Sequence, residues 1–201
     1  MKLYYSPGAC SLSPHIVLRE AGLEFSPVRV DLKTKKTADG ADYMAINPKG
    51  YIPALELDDG ELLTEGPAIV QYVADLVPEK GLAPTPGTLA RARLQEWLNL
   101  IATELHKSFT PLFRGGSADW KDAALDNIKR RFALIDPHLA AHPFLLGEQF
   151  SVADAYLFTV LSWTRFAKID MTPYPALQAY SARVGARPAV QEALRTEGLL
   201  K

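Results

Sequence analysis

Three prolines and two glycines fall within Val77-Pro78-Glu79-Lys80-Gly81-Leu82-Ala83-Pro84-Thr85-Pro86-Gly87 and divide the chain into two unlike parts. Such a run cannot continue a helix or a central strand, so it reads as a linker. Before it, short apolar runs alternate with turn signals. After it come long helical patterns with few breaks. The expected organisation is a domain over 1–78, a linker over 79–87 and a second domain over 88–201. Charge changes at the same place: residues 1–78 carry a net −4 and residues 79–201 a net +3, within a chain of net −1.

That near balance gives no bulk electrostatic reason to hold nucleic acid or an anionic membrane surface. No apolar stretch approaches the ~18 residues of a membrane span. The start, MKLYYSPGAC, has no basic region leading into an apolar run, so no signal peptide is expected. Cys10 is the single cysteine. No intrachain disulfide can form, which fits a reducing, cytoplasmic setting. One cysteine and four scattered histidines offer no paired metal-ligand spacing, so no metal centre is expected.

In the first part, Lys2 to Tyr5 reads as a strand and Ser6-Pro7-Gly8 as a turn. Ser11 to Gly22 reads as a helix with Pro14 in its first turn and Gly22 as its C-cap. Phe25 to Val30 alternates like a strand, and Asp58-Asp59-Gly60 joins Ile52–Leu57 to Leu62–Thr64 as a hairpin. Pro67 to Val77 is helical. The order βαβ then ββα implies a small α/β sandwich. The second part reads as about five helices, near 88–110, 119–141, 151–167, 175–185 and 188–197, with Pro111 expected to kink or end the first. The fold class is therefore α/β followed by an all-α helical bundle.

Several residues have the chemistry for a site. Cys10 follows a strand and a Pro-Gly turn and precedes a helix, where unpaired N–H groups favour a thiolate. Cys10-Ser11-Leu12-Ser13 resembles a dithiol motif whose second thiol is a hydroxyl, so it would form a mixed disulfide without resolving it. The plain alternative is a small buried hydrophobe. Pro53, after Ile52, could be cis, but ~5–6% of X–Pro bonds are, so an ordinary trans proline is the physical expectation. At Thr64-Glu65-Gly66-Pro67 a strand meets a helix, and its free N–H groups beside Glu65 suit an amino acid's carboxylate and amine. Glu65 also simply favours a helix start. On the long helix, Leu94, Trp97, Leu98, Ile101 and Leu105 form an apolar stripe, while Gln95, Asn99, Thr103 and His106 fall on one polar face. His106 alone of these titrates near neutrality, and a solvated face is the simpler reading. Ser151 and Asp154 are a capping-box pair with a folding role. The loop Asp31 to Thr37 is basic, and one of its lysines can reach an anion.

Jointly, these pieces resemble the cytosolic glutathione S-transferases, and within them the bacterial beta class. Four motifs carry the resemblance across essentially the whole chain: Tyr4 to Ser11, Asn47 to Leu55, Leu63 to Ile69, and Phe150 to Asp154. It implies a thioredoxin-like N-terminal domain that binds glutathione, a cis Pro53, and Ile52 pairing with the cysteinyl part of the peptide. It matches Glu65 and Gly66 to the γ-glutamyl group, and Lys35 to the glycyl carboxylate. It sets Asn99, Thr103 and His106 on the helix facing the site, some of them across a homodimer interface. Cys10 stands where other classes have Tyr or Ser. Gly66 departs from the Ser common in the wider family, keeping the backbone donor but losing a hydroxyl.

The expected function is conjugation of reduced glutathione to a small hydrophobic electrophile, a detoxification chemistry. Cys10 and His106 are then catalytic, and Tyr5, Phe109, Phe113 and Trp163 line the electrophile pocket. The alternatives are a thiol–disulfide oxidoreductase or reductive dehalogenase working through a Cys10 mixed disulfide, and a non-catalytic binder of glutathione or a hydrophobic ligand.

Overall fold

The computed structural model describes residues 1–200. They divide into two compact units: residues 1–82 with the segment from Arg187 onward, and residues 83–186.

The first unit is a five-stranded mixed sheet with helices. In chain order it runs β1 (Lys2–Tyr5), α1 (Leu12–Ala21), β2 (Ser26–Asp31), β3 (Lys36–Thr37), α2 (Tyr43–Ile46), β4 (Ala54–Glu56), β5 (Leu62–Thr64) and α3 (Gly66–Leu76), with α10 (Pro188–Thr196) added from the C-terminus. The strand order is β3-β2-β1-β4-β5. Only β1 and β2 pair in parallel, and α1 supplies the crossover that a parallel pair requires. Leu3, Tyr4 and Tyr5 are all buried, so the central strand is covered on both faces. Tyr4, Val30, Tyr43, Ile52 and Ala54 form the cluster on one of them. The Asp58-Asp59-Gly60 turn closes β4 on β5, with Leu57 donating to the Glu61 carbonyl at 2.8 Å. The strand expected from Ile52 begins only at Ala54; Pro53 has no N–H to give a ladder.

The last helix departs from the expected second domain over 88–201. It packs on α1, which also packs on α3. Helix α1 is buried from Leu12 through Leu18 and needs cover on more than one side. Arg187 grips Glu20 through two hydrogen bonds of 2.6 and 2.9 Å, and this fork pins the start of α10.

The second unit holds α4 (Leu89–Leu100), α5 (Thr110–Arg114), α6 (Ala118–Ala141), α7 (Val152–Ser162), α8 (Thr164–Ala167) and α9 (Pro175–Gly185). Helix α7 is largely apolar and buried from Val152 to Leu161, with α4, α8 and α9 packed on it. Its capping box is complete. Buried Asp154 accepts from the backbone N–H of Leu145 and Ser151, from the Ser151 hydroxyl and from Tyr180 Oη, at 2.8–3.0 Å. Asp154→Ala leaves those donors facing no acceptor. The expected loss is about 3 kcal/mol or more, read as a lower urea midpoint, with Asp154→Asn losing less.

Candidate active site

In the first unit the turn after β1 fixes Cys10. Ala9 donates to the Ser6 carbonyl at 3.1 Å, and Leu12 to the Ala9 carbonyl at 2.9 Å. The Ser11 hydroxyl accepts from Ser6 N–H at 3.2 Å and donates to the Ser6 carbonyl at 3.3 Å. Cys10 is therefore held one residue before the cap of α1, half-buried, where the helix end favours negative charge. Its sulfur donates to the Ile52 carbonyl at 3.3 Å, and in that contact it carries its proton.

The Ile52–Pro53 peptide is cis, as the family resemblance implies and against the ordinary frequency of such bonds. The chain before it is braced: Tyr43 Oη and Asn47 Nδ2 both donate to the Tyr51 carbonyl, at 2.7 and 2.8 Å. Gly66 opens α3 beside Pro53; a Cβ on Gly66 would lie 3.8 Å from Pro53 Cγ, in ordinary contact. Glu65, exposed, caps that helix at φ 69° and ψ 116°. Lys35 has φ 56° and donates through Nζ to the Gly50 carbonyl at 2.8 Å. Glu65 and Lys35 thus both hold a backbone form that costs a non-glycine residue about 1–3 kcal/mol, and such strain gathers at ligand-gripping positions.

Two residues that the sequence analysis passed over also shape this turn. The fully buried carboxylate of Glu197, just after α10, meets His15 Nδ1 at 2.8 Å and accepts the Gly8 N–H at 2.9 Å. Tyr5, expected in the electrophile pocket, is buried with its ring 5.9 Å from that of His15. The available signal was His15 itself, a polar residue in an apolar helix that must find a partner.

In the second unit His106 leaves the face it was expected to share. Gln95, Asn99 and Thr103 are exposed, and the Thr103 hydroxyl turns back onto the Asn99 carbonyl at 2.9 Å. His106 is half-buried, with Nδ1 2.7 Å from Tyr156 Oη and its ring 4.9 Å from that of Trp163. Between them the helix widens over Ile101–Leu105 and tightens over His106–Phe109, which breaks the register that the spacing assumed. Phe109, Phe113 and Trp163 do come together, with ring centroids 5.5–5.9 Å apart.

Burial, with the positive charges of Lys107 and Arg114, lowers the His106 pKa from 6.5 to about 4. The folded ring stays neutral where the unfolded one takes a proton, so stability is full above pH 6.5 and falls as pH drops toward 4. The slope from this group is at most about 1.4 kcal/mol per pH unit. His106→Phe should lose less stability than the wild type between neutral pH and about pH 5, by urea unfolding. Equal losses would contradict this.

The chain matches the family model described as glutathione S-transferase, N-terminal domain, over residues 1–75, and the one described as glutathione S-transferase, C-terminal domain, over 118–183. It is 48% identical to glutathione S-transferase GstA of Escherichia coli O157:H7, covering 99% of this chain and 100% of that protein. A solved ternary complex of BphK, a bacterial GST, superposes with a TM-score of 0.97 at 60% identity, covering 99% of this chain and 100% of that one. The bacterial beta-class glutathione S-transferase of Sphingomonas chungbukensis superposes at 0.96 with 49% identity, covering 100% of each. With a thioredoxin-like first unit and an all-helical second one, the chain belongs to the glutathione S-transferase family, and within it to the bacterial beta class.

Proposed function

We propose that this glutathione transferase conjugates reduced glutathione to a small hydrophobic electrophile with Cys10 at the glutathione thiol. The observation that carries the reading is the 3.3 Å contact between Cys10 Sγ and the Ile52 carbonyl. It puts a sulfur donor beside the backbone segment that, on the family pattern, pairs with the cysteinyl part of glutathione. Glu65 then holds the γ-glutamyl amine, the N–H groups opening α3 at Gly66 hold its carboxylate, and Lys35 reaches the glycyl carboxylate. Asn99 and Thr103 are read as further glutathione contacts.

In this reading the glutathione thiol gives up its proton to solvent, and the Cys10 S–H and the α1 terminus stabilise the sulfur anion. That anion attacks the electrophilic carbon; the new C–S bond forms as the leaving group departs with its electron pair. His106 stays neutral with Nδ1 paired to Tyr156 Oη, one ring nitrogen donating and the other accepting, so it orients the substrate or passes a proton. Phe109, Phe113 and Trp163 form an aromatic wall for the electrophile. Exposed Tyr72 and Leu76 on α3 fit a homodimer, and the lone cysteine fits the cytoplasm.

A second reading rests on the same sulfur. The half-buried Cys10 thiolate attacks the glutathionyl sulfur of a mixed-disulfide substrate, releasing the substrate thiol; a second glutathione then attacks the Cys10–glutathione disulfide, freeing Cys10 and leaving as oxidised glutathione. Cys10 variants separate the two. Cys10→Ala should lower kcat/KM for conjugation of chlorodinitrobenzene about 10-fold, the worth of one hydrogen bond to a charged group. Cys10→Ser, keeping a donor, should lose less. Wild-type conjugation in Cys10→Ala with disulfide reduction abolished would move Cys10 from conjugation to thiol exchange.

A further inference from the structure

Between α4 and α5 the backbone changes winding twice within nine residues, Ile101 to Phe109, and none of the nine is glycine or proline. Part of the cause lies just downstream. Pro111 has no N–H for the Lys107 carbonyl, which accepts from Thr110 instead, so the helix tightens. Upstream it widens, and His106 N–H reaches back five residues to the Ile101 carbonyl. Between these two bonds the three N–H groups of residues 107–109 face the five carbonyls of residues 102–106. At least two carbonyls are left without a backbone donor of their own, and each needs another partner.

Helix α6 supplies one. Asn127 Nδ2 donates to the Glu104 carbonyl at 2.9 Å and to Ser108 Oγ at 2.7 Å, while Ser108 Oγ donates to the same Glu104 carbonyl at 2.6 Å. One turn further along α6, Arg131 Nε donates to the Glu104 carboxylate at 3.1 Å, and Arg131 Nη2 bonds to it as well. Glu104 is thus held at both its carbonyl and its side chain, two residues before His106. A regular helix would turn residue 106 toward the exposed face of Asn99 and Thr103. In the widened form it meets Tyr156 and Trp163 instead.

We infer that Asn127 and Arg131 are positioning residues: they clamp the irregular turn at Glu104 and so aim His106 at Tyr156 and Trp163. The inference rests on the role given to His106 above, but it is readable without it. In His-labelled wild-type protein, the His106 ring nitrogens should stay neutral to about pH 4 beside Tyr156, Lys107 and Arg114. Asn127→Leu removes both donors at similar size. It should shift those resonances and raise the His106 titration midpoint toward 6.5. The kcat for conjugation should fall about 10- to 100-fold with KM for glutathione near wild type, and Asn127→Gln should recover part of it. Arg131→Met is the milder variant should Asn127→Leu not fold, and should shift His106 in the same direction. Unchanged His106 resonances in a folded variant that has only lost thermal stability would overturn the clamp. Full activity in His106→Phe would instead overturn the role of His106, leaving the resonance test of the clamp intact.

Discussion

A carboxylate with no solvent exposure sits where the first unit closes. Burying Glu197 removes an ion from water, a cost of several kcal/mol that only good partners offset. His15 from α1 and the N–H of Gly8 provide two of them. These contacts bind the end of the chain to the turn that carries Cys10. Much follows from this link. It supplies a backbone N–H with an acceptor, it gives buried His15 a partner, and it covers α1 (Leu12–Ala21) with a helix from the far end of the described chain, Pro188–Thr196. The strained Glu65 and Lys35 and the Tyr51 carbonyl, braced by two partly buried hydrogen bonds, belong to the half-site proposed for glutathione. Preorganisation of this kind places ligand-binding groups without side-chain ordering on binding.

The second unit meets a comparable constraint by other means. One proline in a long helix removes a donor, and the backbone answers by tightening below and widening above. The irregular stretch is where a titratable ring enters an aromatic cluster. Such a ring is neutral because it is buried beside Lys107 and Arg114, so around neutral pH it works as a hydrogen-bonding group rather than as a charge.

What was legible in the sequence was local. The edges of β1, β5, α1 and α3 follow from Pro, Gly and the Asp58-Asp59-Gly60 turn, whose chemistry acts within a few residues. The Ser151–Asp154 box announced α7 for the same reason. What was not legible was decided at a distance. The docking of α10 on α1 depends on Arg187 meeting Glu20 and Glu197 meeting His15, pairs that no periodicity links. The two-residue β3 and four-residue α2 are too short to impose a period; β3 is held by β2, and α2 by the Asp42 cap and the Tyr43 core. The polar stripe failed at His106 because helical spacing assumes uniform winding, and α6 side chains hold that winding open. The motifs pointed to the Cys10, Ile52–Pro53 and Glu65–Gly66 regions as a set, but spacing alone said nothing of their contact.

The junction of Cys10, Ile52 and Glu65–Gly66 is the proposed glutathione site. Calorimetric titration with reduced glutathione, under reducing conditions, tests it most directly in the wild type and in Glu65→Gln. Wild-type binding in the micromolar to low-millimolar range, weakened about 10-fold or more in the variant by loss of a charged partner, is the predicted result. Equal affinity in the two proteins, or no heat from the wild type, would contradict it.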